Sequence, residues 1–583
     1  MVCGEARAEC RFNGNAPWTF GFFPAPSCAA KIRGSSRTHL DERSAMSRTG
    51  GTKDGSSIQP GSPFMPNTHP SVHESASSLQ MRPHECANTA ALAQTARAEM
   101  ALLAYPDRSW VESPPLSKAG GATPALLNVL IVGGGQSALA ISARLHRDGV
   151  NNVLMLDAAE EDAEGVWDNF ARMPELRTPK VLNGMDLGLA SLSVQRWYQA
   201  RHGVDAWERI DRIPRTAWAD YLRWYRHTLA LPMHNRVQVH DVRPAGAWIA
   251  VDTQTPTGPR TYLARSVVLA TGFDGAGAWR VPAVVSDALP STRCNHSADR
   301  IDFARLQGRR VGILGHGASA FDNAVAALRA GAASVDLCFR RERLPRANPH
   351  RHIETAGFMQ HFHALPDATR WQVAQYFRAA DQPPPRGSFD AALKLPGFRM
   401  RSACPWTTVR ITQEQEIEVE TPHGTLQFDH LICATGQTLD LAARPELQTL
   451  APLVSRWRDR HAPAAAANAG EAPYLGAHFE FQALAPSTDS WVSRVFAFNS
   501  ASHISHGPHC TSISGHKHTL PRVVRGVAQQ LFLDQTAQLM PGLRAYDEPE
   551  LVLPDGIEND CWLPSPDASV SHSLNPLKSL ASP

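Results

Sequence analysis

Two stretches of the chain repeat one order of apolar and polar positions. Leu127-Asn-Val-Leu-Ile-Val132 is a nearly continuous apolar run. That is the pattern of a parallel strand covered on both faces. It runs into Gly133-Gly-Gly135-Gln-Ser-Ala138, after which Leu139, Ile141 and Leu145 recur at helical spacing as far as Gly149. A second apolar run, Asn152-Val-Leu-Met-Leu156, ends at Asp157. The pattern predicts one β-α-β unit. The same order returns at 310–339: Arg310-Val-Gly-Ile-Leu314, then Gly315-His-Gly317-Ala-Ser-Ala320, a helical stretch closed by Gly331, and Ser334-Val-Asp-Leu-Cys-Phe339. Two more apolar runs, Ser266-Val-Val-Leu-Ala-Thr-Gly272 and His430-Leu-Ile-Cys-Ala-Thr-Gly436, share one ending. Trp218, Tyr221, Leu222 and Tyr225 have the spacing of a buried helix face, and 518–531 reads as a helix. Residues 1–86 carry neither period, which predicts disorder. Residues 87–104 read as a helix, 113–124 as a proline-rich linker and 546–583 as a tail.

Each glycine-rich turn lies between a strand and a helix, the context in which it binds a dinucleotide. Gly133 and Gly315 permit the tight turn, Gly135 and Gly317 let the backbone approach a pyrophosphate, and Ala138 and Ala320 allow close helix packing. The N–H groups of Gln136, Ser137, Ala318 and Ser319 open the two helices toward the phosphates. The residue closing the second strand separates the cofactors. Asp157 suits ribose hydroxyls and repels a 2′-phosphate, whereas Phe339 is followed by Arg340 and Arg341, which suit that phosphate. The expectation is FAD at the first turn and NADPH at the second. Ala270, Thr271 and Gly272, and Thr435 and Gly436, place backbone close to a dinucleotide, with Asp440 downstream as a partner for a flavin hydroxyl or bound water.

Composition narrows the class. Lys and Arg number 57 against 55 Asp and Glu in 583 residues, a net charge of +2 with no bulk field for nucleic acid. No apolar run reaches the ~18 residues of a membrane span. The ten cysteines form no C-x-x-C pair, which points to free thiols in a reducing cytoplasm. The histidines at 503, 506, 509, 516 and 518 do not present three ligands on one helix face, so no metal is expected.

These motifs, with Gly165-Val-Trp167 and Leu176-Arg-Thr-Pro179 between them, resemble the flavin-dependent monooxygenases that carry both FAD and NADPH: the flavin-containing, Baeyer–Villiger and N-hydroxylating enzymes. The resemblance covers about 125–540. It implies an α/β fold of two Rossmann-like dinucleotide-binding domains, the NADPH domain (300–425) inserted into an FAD domain (125–299 and 426–545), with 87–124 as helix and linker. It places Trp167 and Arg177 along the FAD. It also implies insertion of one oxygen atom from O2 into a small organic substrate at N, S or a ketone carbon, through a C4a-(hydro)peroxyflavin. The Baeyer–Villiger fingerprint is incomplete: His296 is present, but Pro290 and Thr292 stand where Phe and Gly belong. Thr178 is followed by Pro179 instead of the Asn of flavin-containing monooxygenases. The subclass and catalytic residues stay open, and so does the oligomeric state, a homo-oligomer included. Lys180 reads equally as a phosphate or substrate contact and as a solvated charge. The rival readings are an NADPH oxidase-like flavoprotein that releases peroxide and a non-catalytic dinucleotide-binding scaffold.

Overall fold

The computed structural model describes residues 83–112, 126–182, 184–461, 468–486 and 489–551. A helix begins at Pro83, inside the stretch 1–86 expected to be disordered; the expectations for 1–82, for the linker at 113–124 and for 552–583 lie outside the described residues. Helix α1 (Pro83–Leu102) buries Leu92, Ala96 and Met100 at helical spacing. Strand β1 (Leu126–Val132) follows, then helix α2 (Gln136–Arg147) and strand β2 (Val153–Leu156). Asn128 interrupts the apolar run of β1 and is fully buried. Its amide donates to the Asn151 side chain at 2.8 Å, which avoids the ~1–3 kcal/mol of an unsatisfied buried donor. Helix α3 (Arg215–Thr228) buries Trp218, Tyr221, Leu222 and Tyr225 as the spacing predicts. The Tyr221 and Tyr225 hydroxyls each find a backbone carbonyl, on Leu192 and Met185, at 2.7 Å.

Strands β3 (Met233–His234), β4 (Gln238–Ala245), β5 (Trp248–Thr255) and β6 (Gly258–Leu269) extend the first sheet. Its order is β3-β2-β1-β6-β5-β4, and the last half of β6 runs parallel to β1. Strand β7 (Gly277–Trp279) leads out of this sheet. Strands β8 (Cys294–His296), β9 (Arg310–Leu314), β10 (Ser334–Cys338) and β11 (Phe398–Arg401) form a second sheet around helix α4 (Ala318–Arg329). A meander of β12 (Thr408–Ile411), β13 (Ile417–Thr421) and β14 (Gly424–Phe428) leads to β15 (His430–Cys433), which inserts between β9 and β8. Strand β16 (Gln437–Leu439) then pairs antiparallel with β7, and β17 (Val495–Ala497) returns to β6 in the first sheet. Helix α5 (Ile513–Leu533) packs against α2.

The chain thus leaves the first sheet along β7 and comes back along β16, side by side. Strands β8 and β15 belong to the second sheet, outside the expected span of 300–425. Three apolar runs near residues 294, 311 and 431 close one parallel sheet because each is buried on both faces. Among the described residues no helix is long and apolar enough to cross a membrane. Cys294, Cys338, Cys404, Cys433 and Cys510 are buried and unpaired.

Candidate active site

At the first turn Gly133 adopts φ +108°, and a Cβ there would lie 2.6 Å from the Ala270 carbonyl at the end of β6. Helix α2 begins at an N-cap, Gly135, with no side chain on its free N–H groups and no acid in its first turn. The open end of this helix carries a partial positive charge facing the turn. Gly165 packs over Gly135. Gln136 accepts a hydrogen bond from the Trp218 indole at 3.2 Å, and Trp218 meets Trp167 edge to face at 6.3 Å, so the Gly-x-Trp segment is tied to the start of α2. Ser137 Oγ lies 3.0 Å from His516 Nε2 on α5, and Ala138 is fully buried. Asp157 accepts from the Gly134 N–H at 2.6 Å and the Ala159 N–H at 2.8 Å. Burial nevertheless raises its pKa. Both carboxylate oxygens hold backbone in place and keep lone pairs for a ribose. Thr271 accepts from Asn499 at 3.1 Å, and the Gly272 carbonyl accepts from the Ser500 N–H at 3.0 Å. Asn499 is absent from the sequence reading; the apolar run Val495-Phe-Ala-Phe498 before it was the available signal.

The second turn repeats the geometry. Helix α4 starts at Gly317 without a side-chain cap, and a Cβ on Gly317 would meet nothing within 4 Å, so the backbone face is open. Ala318 and Ser319 begin the helix and Ala320 is buried beneath it. Both ends therefore fit a dinucleotide pyrophosphate. The basic residues at the end of β10 divide. Arg340 is exposed and makes no ion pair among the described residues. Arg341 pairs with Asp381 at 3.3 Å, and the same carboxylate oxygen lies 3.0 Å from His316 Nε2 in the turn. The His316 hydrogen bond holds the Asp381 carboxyl below its usual value. Asp381 lies 40 positions along the chain from Arg341, where no local pattern links them.

Between the two turns, Arg177 pairs at 2.7 Å with Asp322 of α4, whose side chain is only 4% exposed and which also accepts from Ser388 at 2.5 Å. Arg177 thus bridges to the second unit through an acid the sequence reading did not include. Thr435 donates to the Arg280 carbonyl at 3.1 Å. Asp440 caps the turn at Leu441–Ala443 and pairs with Arg280 at 3.1 Å. Gly436 adopts φ +77° in open space. Lys180 donates to the Trp207 carbonyl at 2.8 Å. The buried His296 ring lies 5.2 Å from Trp279, tilted by 30°, and burial lowers its pKa.

Helix α5 begins five residues before the expected position of 518, because Ser512 caps the Gly515 N–H at 3.1 Å. Burial pushes His350, His503, His509 and His516 down to about 4. Among the described residues no group of three or more His, Cys, Asp or Glu side chains is arranged to hold a metal. The unfolded chain binds these protons near pH 6.5, the native state only near 4, so stability is lost as pH falls through that window. Thermal scans at pH 7 and pH 5 should show Tm lower at pH 5 by more than ~5 °C. An unchanged Tm would show that these imidazoles titrate normally.

Comparison with known proteins places this geometry. A profile of FAD-NAD(P)-binding proteins matches residues 130–274, and one of L-lysine 6-monooxygenase/L-ornithine 5-monooxygenase matches 207–385. The FAD-dependent urate hydroxylase of Xanthomonas campestris is 41% identical over 453 residues, 77% of this chain and 94% of that protein. Ornithine hydroxylase from Pseudomonas aeruginosa has a TM-score of 0.56 at 18% identity, covering 70% of this chain and 100% of its own. The FAD-bound cadaverine monooxygenase of Erwinia amylovora has a TM-score of 0.55 at 14% identity, covering 69% and 95%. At these identities the two structures speak for the fold. With two open nucleotide turns in the matching fold and a relative of this closeness along most of its length, the chain belongs to the FAD- and NADPH-dependent flavoprotein monooxygenases.

Proposed function

We propose that this enzyme hydroxylates a planar oxo-purine of the urate class, consuming one O2, one NADPH and one proton per turnover and releasing hydroxylated product, NADP+ and water. The observation that carries the reading is the 41% identity to the urate hydroxylase across 94% of that protein. FAD and NADPH, when bound, supply the hydride transfer and oxygen activation that no side chain can provide. The chain's own residues bind and orient. The α2 end, with Gly133, Gly135, Gln136, Ser137 and Ala138, takes the FAD pyrophosphate, Asp157 takes ribose, and Trp167 with Ala270, Thr271 and Gly272 borders the flavin side. The α4 end, with Gly315, Gly317, Ala318, Ser319 and Ala320, takes the NADPH pyrophosphate. Arg177 couples the two units, while Thr435, Gly436 and Asp440 line the return strand. The NADPH unit is assigned to 280–436, between the paired strands β7 and β16. The buried thiols without disulfide partners among the described residues support a cytoplasmic location.

Initial rates of NADPH oxidation test the substrate. Urate should accelerate them, whereas ornithine and lysine should not; acceleration by an amino acid alone would overturn the assignment. The 2′-phosphate is assigned to Arg340. Arg340→Ala should raise KM for NADPH by about tenfold, roughly 1.4 kcal/mol, and leave NADH unaffected. Equal changes for both coenzymes would remove that assignment.

A further inference from the structure

Helix α5 carries a buried cation that none of the roles above uses. Arg522 is 9% exposed. Its Nη1 donates to the Gln360 carbonyl at 2.7 Å and to His363 Nδ1, its Nη2 donates to His506 Nδ1 at 3.2 Å, and its Nε has no partner. Among the described residues no carboxylate pairs with it. The guanidinium lies 5.1 Å over the Phe479 ring, and Phe479 stacks on His506 with centroids 3.7 Å apart and planes 13° apart. His363 stacks on the same imidazole at 6.1 Å. Burial pushes His363 down to about 4 and holds His506 well below its ordinary value, so both are neutral. Arg522, lowered to about 10 by burial, keeps its charge. Nearby Arg370, also buried, is paired with Asp367, so Arg522 is the cation of this cluster with no carboxylate among the described residues, an arrangement that disfavours the empty state unless an anion completes it.

The surroundings select the anion. Two imidazoles and a phenyl ring offer flat faces, each imidazole, its Nδ1 taken by the guanidinium, keeps an Nε2–H donor, and the guanidinium offers a free N–H, so the cluster presents donors to an anion. The cluster reaches the surface at one edge, where exposed Gln360 contacts half-buried His518 at 3.4 Å. Arg522 lies six residues beyond His516, which touches Ser137 of the first turn; at 1.5 Å per residue that is roughly 9 Å along the helix.

We propose that Arg522, with His363 and His506, forms the anion-recognition pole of the substrate site and takes an oxo-purine monoanion of the urate class. This rests on the substrate reading above and adds the residues that would carry it. A urate monoanion presents a flat rim of alternating carbonyl and N–H groups, which matches a guanidinium beside neutral imidazoles. The ammonium of an amino acid would need a carboxylate here, and the cluster contains none.

The test is equilibrium titration of the FAD-loaded full chain with urate, with ornithine and with the uncharged planar purine hypoxanthine. FAD content and NADPH affinity are measured alongside. Arg522→Met should weaken urate binding at least ~30-fold, as expected for losing hydrogen bonds from a charged donor, with hypoxanthine binding unchanged. His363→Gln, at the half-buried edge, should weaken urate about fivefold and provides the readout if Arg522→Met fails to fold. If wild type binds urate and the folded variants bind it within twofold of wild type, the pole is misassigned while the substrate reading stands. If wild type binds ornithine and no urate, the substrate reading falls and the pole with it.

Discussion

Gly133→Ala should purify without flavin colour. At φ +108° any side chain is strained, by about 1–3 kcal/mol. The added Cβ would also meet the Ala270 carbonyl at 2.6 Å. That oxygen belongs to the end of β6, held in register with β1 by the Ala270 N–H to Val132 hydrogen bond at 2.9 Å, so the turn must yield instead of the strand. Opening the turn moves the N–H groups of α2 away from the pyrophosphate they cradle. The expected FAD content is below ~5% of wild type, corresponding to more than ~1.8 kcal/mol of lost affinity under limiting flavin. Flavin absorbance per protein measures it, and a stoichiometric yellow variant would show that this turn does not carry FAD.

Gly315→Ala should give the complementary phenotype. Its φ is +140°, and a Cβ there would lie 2.4 Å from the Ala434 carbonyl. Ala434 is fixed by its own N–H to the Leu314 carbonyl at 2.8 Å. The variant should stay yellow, because the first turn is untouched. Its anaerobic flavin reduction at fixed subsaturating NADPH should slow at least ~100-fold, about 2.7 kcal/mol. Loss of FAD together with slow reduction would mean that the two turns are not independent sites.

The contrast between these variants is also what the sequence made legible. Both turns and the strands flanking them are local patterns: an apolar run, glycines at fixed offsets, then helical spacing. Each therefore appears where expected. The antiparallel hairpin of β4 and β5 escaped because neither strand carries a glycine motif and β5 buries Ile249, Ala250 and Val251 in a row instead of alternating. The start of α5 escaped because Gly515 and His516 hide the helical period, while the Ser512 cap is visible only in three dimensions. The partners that tune the site are long-range contacts. Asp381 reaches both His316 and Arg341, Asp322 reaches Arg177, and His516 reaches Ser137. The sequence marked Arg340 and Arg341 together as phosphate ligands; Arg341 pairs with Asp381, and Arg340 is the exposed cation without an ion pair among the described residues. The expected limits of the inserted unit missed β8 and β15 for the same reason: which sheet a buried apolar run joins depends on pairing, and pairing is not local.

Turnover of the FAD-loaded enzyme with NADPH and urate under isotopically labelled 18O2 is the decisive measurement. One labelled oxygen atom should enter the product for each NADPH oxidised, with little peroxide released. NADPH oxidation that yields stoichiometric hydrogen peroxide and unlabelled urate would contradict it and identify an oxidase.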